Sequence, residues 1–260
     1  MNILNQLADY ARFRSQEKQK TVSLDRLQQE VSLLPPGDFA LGKALKKERI
    51  SFICECKKAS PSKGIIVEDF PYLDIAQAYE KAGADAISVL TEPKWFLGAD
   101  SYLQEIAKNV NIPCLRKDFV IDEYMIYEAK LLGASAVLLI CAILTPEEIQ
   151  KYITLCDKLG ISALVEAHNS EEVQQGIAAG ARILGVNNRN LKDFTVDTDN
   201  TKRLREQIPP EVLMISESGI SQRSQVAQLE LLGVDGVLIG ETLMLAPDKN
   251  KKLEELRGNR

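Results

Sequence analysis

Along the chain, short apolar runs alternate with longer stretches whose apolar residues recur at helical spacing. One phrase repeats: a glycine, one or two small residues, then a run rich in β-branched side chains that stops in polar residues. It occurs at Gly83–Glu92 (GADAISVLTE), Gly133–Ala142 (GASAVLLICA), Gly160–His168 (GISALVEAH), Gly180–Asn188 (GARILGVNN) and Gly233–Gly240 (GVDGVLIG). A glycine in that place suits a helix C-cap, and the uninterrupted run suits a strand covered on both faces. Ser51–Glu55 (SFICE), Pro113–Lys117 (PCLRK) and Leu213–Glu217 (LMISE) complete a set of eight strands. The stretches Asp74–Lys81, Asp122–Leu132, Pro146–Leu159 and Glu171–Ala179 read as amphipathic helices between them.

Strands alternating with helices imply right-handed parallel crossovers, and eight of them favour a closed barrel over an open doubly wound sheet. The fold class expected is α/β, a single (β/α)8 TIM barrel over residues 50–245. Residues 1–49 form an N-terminal helical extension, with Leu4, Leu7, Ala8 and Ala11 on one stripe and Phe39, Leu41, Ala44 and Leu45 on another, covering one end of the barrel. Residues 246–260 read as a charged helix or tail able to fray. No Ser/Gly-rich linker divides the chain, so one domain is expected.

Composition narrows the function classes. With 32 basic against 37 acidic side chains, the formal charge of -5 offers no general positive field for a nucleic-acid backbone. The charged start lacks the apolar core of a signal peptide, and no stretch approaches the roughly 20 apolar residues that span a bilayer. A cytoplasmic protein with neither nucleic-acid nor membrane partners is the expectation. The five cysteines Cys54, Cys56, Cys114, Cys141 and Cys156 sit in or beside apolar segments and read as buried thiols. Cys54 and Cys56 have no second pair to complete a zinc set, and neither a dinucleotide nor a Walker loop occurs. No metal and no cofactor are expected.

In such a barrel the active site forms at the C-terminal ends of the strands. Side chains alternate faces along a strand, so if Cys54 and Cys56 meet the helices, Glu55 and Lys57 face the mouth. The same parity separates Lys117 from Arg116 and Asp118, and sends Glu166 and Glu217 inward. Five charges in one cavity would shift one another's pKa and divide acid and base roles. His168, the sole histidine, reads as a loop residue. Gly219 and Gly240, each where a strand hands over to a helix, suit a phosphate after the last two strands, or serve the turns alone.

These residues resemble a known family. Glu55–Gly64 (ECKKASPSKG), Leu90–Gly98 (LTEPKWFLG), Leu115–Phe119 (LRKDF), Leu164–His168 (LVEAH), Gly185–Leu191 (GVNNRNL), Glu217–Ile220 (ESGI) and Leu238–Thr242 (LIGET) are similar, in order, to the indole-3-glycerol phosphate synthases. The resemblance runs from about residue 38 to residue 245. It implies a lyase of tryptophan biosynthesis that closes the ring of 1-(2-carboxyphenylamino)-1-deoxyribulose 5-phosphate with loss of carbon dioxide and water. Under it Lys117 is the general acid, Glu166 the partner acid/base, and Glu55 and Lys57 assist dehydration. Ser60, Phe96, Phe119, Asn187, Arg189, Glu217 and Ser218 are expected to contact substrate. Lys57, Ser218, Gly219, Gly240 and Glu241 are expected around the phosphate, although Glu241 stands where some relatives carry a serine. A monomer or weak homo-oligomer is expected. The rivals are a Schiff-base aldolase and a non-catalytic barrel that binds a phosphorylated metabolite.

Overall fold

Three helices open the chain: α1 (Ile3–Thr21), α2 (Leu24–Ser32) and α3 (Ala40–Leu45). The computed structural model describes residues 3–190 and 193–258; Leu191, the last residue of one matched block, and the tail end Asn259–Arg260 lie outside the described residues. Eight parallel strands then close a barrel. They are β1 (Ser51–Cys56), β4 (Ala86–Leu90), β5 (Cys114–Lys117), β6 (Ala136–Ile140), β7 (Ser162–Ala167), β8 (Ile183–Asn187), β9 (Leu213–Glu217) and β10 (Gly236–Ile239), with β1 between β4 and β10. The eight apolar runs read from the sequence are these strands. The five glycines of the repeated phrase all take φ between 67° and 89°, as left-handed helix ends require.

The intervening helices are α4 (Tyr72–Lys81), α5 (Asp100–Asn109), α6 (Glu123–Leu131), α7 (Pro146–Leu159), α8 (Ser170–Ala178), α9 (Asp199–Arg205), α10 (Arg223–Leu231) and α11 (Glu241–Leu245). Strong caps fix several of them. Thr145 and Glu148 form a capping box with Pro146 in the first turn of α7, and the Asn169 side chain accepts from the Glu172 amide at the start of α8. A small antiparallel hairpin, β2 (Ala59–Ser60) with β3 (Gly64–Ile65), follows β1 and has no counterpart among the sequence expectations.

The N-terminal extension covers both ends of the barrel, not one. Helix α3 lies under the floor, where Leu45 meets the side of Gly236 and the Ser51 hydroxyl donates to the Ala44 carbonyl at 3.0 Å. Small residues in the lowest inward positions, among them Ala86, Ala136 and Gly236, leave room for that plug. Phe39 is not part of the buried stripe: it caps α3 in a left-handed conformation and is 37% exposed. Helix α1 instead lies at the mouth, with Ile3, Leu4 and Leu7 lining the cavity.

The C-terminal helix α12 (Lys249–Arg257) is docked, not frayed. Leu253 and Leu256 are fully buried, and Arg257 donates to the carbonyl of Ala82 at 2.7 Å. Its mean charge hid a two-residue apolar anchor from the sequence reading.

Candidate active site

The strand parity places the charges as expected. Cys54 and Cys56 are buried on the helix side, and burial pushes both thiols well up from their ordinary range. Glu55 therefore faces inward, where it accepts from Lys57 Nζ at 2.7 Å and from the Ser88 hydroxyl at 3.2 Å. Burial opposes its ionisation, but the Lys57 and Lys117 ammonium groups outweigh burial and hold the carboxyl below its ordinary pKa.

Lys117, at the end of β5, is the centre of the cavity. Its Nζ donates to Glu217 Oε2 at 2.6 Å and to Glu166 Oε2 at 3.2 Å. Burial works against its charge, yet Glu217, Glu166 and Glu55 together raise its pKa above the ordinary lysine value. The two carboxylates respond differently. Burial is the largest influence on Glu166 too, but the ammonium of Lys117 and the nearby His168 keep its pKa below the ordinary value. Asn187 adds a hydrogen bond to the same carboxylate. Glu217 is pushed up to about 7 by burial, only partly offset by Lys117 and reinforced by repulsion from Glu166. Its second oxygen, Oε1, is buried without a hydrogen-bond partner and lies against Gly185, where any Cβ would collide with it.

Every residue expected to contact substrate or phosphate borders this mouth or the crevice that continues from it. Ser60, Phe96, Phe119, Asn187, Arg189, Ser218 and Glu241 line the same cavity as Glu55, Lys57, Lys117, Glu166 and Glu217. Gly219 and Gly240 line the crevice that continues from it along the ends of β9 and β10. The Phe96 and Phe119 rings, 6.1 Å apart, form an aromatic patch in the lining of the same cavity. Ser218 and Gly219 both take left-handed backbone, at φ 68° and 81°. Gly240 does not: its φ is -112°, and it is glycine because a Cβ there would meet Glu55 Oε1 and, at 2.9 Å, Lys57 Nζ. Glu241 accepts from Lys63 at 3.2 Å and lies 4.0 Å from Arg189.

The sequence reading missed the supports behind these groups. Fully buried Glu92 accepts from the amides of Lys94, Trp95 and Phe96 at 2.9, 2.7 and 3.0 Å, which shapes the loop carrying Phe96. Asp118, beside Lys117, binds Arg14 of α1 at 2.6 and 3.2 Å and the Thr91 hydroxyl at 2.7 Å. Buried Arg116 ties Asp100 and Glu128 together at 2.7 Å each, and Lys18 of α1 reaches the same two carboxylates. His168 lies in the loop after β7, as read from the sequence, but its ring turns into the site, 3.5 Å from Glu166 and 3.0 Å from Glu172. It stands two residues after Glu166, and that spacing was the available signal. Among the described residues, no cluster of three or more His, Cys, Asp or Glu side chains could hold a metal ion.

Residues 4–256 match the family model described as indole-3-glycerol phosphate synthase. The chain belongs to the indole-3-glycerol phosphate synthase family. It is 52% identical over 99% of both chains to the indole-3-glycerol phosphate synthase of Ruminiclostridium cellulolyticum, and 53% identical over 94% of both to that of Leuconostoc mesenteroides. Among solved structures it is similar to a 3-hexulose-6-phosphate synthase from Salmonella typhimurium, at 18% identity over 80% of this chain and 97% of that one, with a TM-score of 0.64. That last likeness concerns the barrel alone. No described helix is long and apolar enough to cross a membrane.

Proposed function

We propose that this cavity closes the indole ring of 1-(2-carboxyphenylamino)-1-deoxyribulose 5-phosphate by general acid/base catalysis. The observation that carries the reading is an ammonium, Lys117, held between Glu166 and Glu217 at the centre of a family cavity with an aromatic patch in its lining. The aromatic ring of the substrate lies along Phe96 and Phe119. As its carboxylate-bearing carbon attacks the ribulose carbonyl, Lys117 gives a proton to the oxygen that becomes negative. Carbon dioxide then leaves from the same ring carbon and restores the electron pair to the ring. Loss of the new hydroxyl as water, with Glu166 taking a proton from the methylene carbon beside the nitrogen, forms the last ring double bond and completes the indole. Glu55 and Lys57 assist that dehydration, and Ser60, Asn187 and Arg189 orient the substrate.

The phosphate is held by Lys57 and by the backbone of the Ser218–Gly219 and Gly240–Glu241 turns. Helix α11 has only five residues, so its dipole adds little, and the Glu241 carboxylate must stay on Lys63 and away from the phosphate. A Schiff-base role for Lys117 is disfavoured, since three carboxylates keep the ammonium charged and so without a lone pair. The chemistry needs no metal or cofactor, and the cytoplasm is its expected compartment. Incubation with the synthetic substrate tests the reading: indole fluorescence should appear without additives, and a folded protein that yields none would overturn it.

A further inference from the structure

His168 follows β7 at the point where the chain turns into α8, and the cap of that helix fixes its ring. Asn169 caps α8 through the Glu172 amide and donates its own side-chain amide to Glu172 Oε1 at 2.8 Å. Glu172 Oε2 accepts the backbone amide of His168 at 2.8 Å and sits 3.0 Å from its Nδ1. A carboxylate only accepts, so Nδ1 carries a hydrogen and the tautomer is set. That leaves Nε2, buried and without a hydrogen-bond partner, facing Glu166 Oε1 at 3.5 Å. The other oxygen of Glu166 is the one that accepts from Lys117.

We propose that His168, oriented by Glu172, is a positioning residue that keeps the Glu166 carboxylate ionised and turned toward Lys117. The two oxygens of Glu166 are bracketed from opposite sides, one by an ammonium and one by an imidazole edge. When Nε2 carries a proton the bracket is attractive on both sides. When it does not, a lone pair faces a carboxylate oxygen and Glu166 loses half of its support. Burial disfavours the imidazolium, but Glu172 and Glu166 outweigh it and raise the histidine pKa above its ordinary value. Glu217 of β9 adds to that attraction from across the cavity. On the far side the ring opens on a crevice bordered by Arg189, Asp197 and Arg203, and its own carbonyl accepts from Asn200 of α9 at 3.0 Å.

The inference rests on the acid/base reading of Glu166, and two measurements separate them. Because the chain holds a single histidine, isotope-labelled His168 gives one imidazole titration by NMR. Replacing Glu166 by Gln should lower its midpoint by about one pH unit, since a facing negative charge is removed. A midpoint that does not move overturns the inference whether or not Glu166 is catalytic. His168→Gln keeps an amide donor but no charge, so the Glu166 pKa should rise. The acidic limb of the kcat profile should then move up by about one pH unit, with KM changed less than about threefold. A kcat that falls equally at every pH marks a merely structural histidine and overturns the proposal. Near-parental turnover by Glu166→Gln, with the NMR shift present, would instead sink the catalytic reading of Glu166.

Discussion

Lys117→Met removes a proton donor and a compensating charge from one atom. General acids contribute about 10²- to 10⁴-fold, and the loss of one preorganised donor to a developing oxyanion costs about 10²- to 10³-fold. Both effects come from the same ammonium and cannot simply multiply. The expected fall in kcat is therefore about 10³- to 10⁵-fold, or about 4 to 7 kcal/mol of barrier. The fold should survive. Deleting one partner of a buried ion pair costs about 3–5 kcal/mol when the other charge is stranded. Here Glu217, already pushed up to about 7, takes up a proton near neutrality and relieves much of that strain. KM should change little, because the proposed phosphate seat is at the ends of β9 and β10, away from Lys117. Lys117→Arg should be poor as well, since a guanidinium keeps the charge but is a far weaker acid. Single-turnover fluorescence on the purified, folded variants is the assay. If either forms product within about tenfold of the parent rate, Lys117 is not the acid, and Lys57 takes its place as the candidate.

Glu166→Gln should lose about 10²- to 10⁴-fold in turnover while still binding a phosphorylated product analogue; a variant within about threefold of the parent would move the role to Glu55. Glu217→Gln should alter the pH dependence of stability. The folded pKa of about 7 lies above the ordinary 4.5, so the native state retains a proton that the unfolded chain loses, and stability falls as pH rises across that window. The Gln variant should lack that fall, gaining up to about 3 kcal/mol relative to the parent on going from pH 5 to pH 8, and equal denaturation midpoints shifts at both pH values would refute it. Gly240→Ala is compatible with φ -112° but drives a methyl into the Glu55–Lys57 pair, so kcat should drop at least about tenfold with a stability loss of about 1–3 kcal/mol. Activity unchanged in a folded Ala variant would show that the pair is not needed as built. Arg14→Met should raise KM and lower Tm, because it takes the two-pronged guanidinium partner from fully buried Asp118, next to Lys117, and leaves that carboxylate only the Thr91 hydroxyl, the Phe119 amide and the more distant Arg116; parental values for both would show that α1 is held by other contacts.

The barrel and its inward charges were legible because both depend on local repetition. A strand buried on both faces writes its period in consecutive residues, and the outward thiols of Cys54 and Cys56 fixed the direction of Glu55 and Lys57 without any knowledge of neighbours. The same counting separated Lys117 from Arg116. What escaped were partners distant in sequence: Arg14 with Asp118, Glu92 with a loop whose shape depends on three amides, α3 with the floor at Gly236. His168 escaped for a different reason. Its parity with Glu166 was readable, but its ring is useful only because the α8 cap brings Glu172 back onto it, and a cap is visible in sequence only once the start of the helix is known. Gly240 was read as a phosphate or turn glycine; the space it leaves was not legible, since the charges that need it belong to β1 at the other end of the chain.

In the proposed mechanism, the contrast between Glu166 and Glu217 would separate the acid role from the base role. Both carboxylates bind Lys117, and Glu217 does so at the shorter distance, 2.6 against 3.2 Å. Distance alone would make Glu217 the more acidic. It is the less acidic because its other oxygen is sealed against Gly185 with no donor, whereas the other oxygen of Glu166 faces His168 and its carboxylate also binds Asn187. Desolvation without a second partner outweighs a shorter bond. The consequence reaches Lys117. Three facing carboxylates raise the lysine pKa and make it a reluctant acid, and each proton taken by Glu217 removes one of those charges. Protonation of Glu217 near neutral pH thus brings Lys117 closer to the range in which it can release its proton, while Glu166, held ionised from its other side, stays available to receive one.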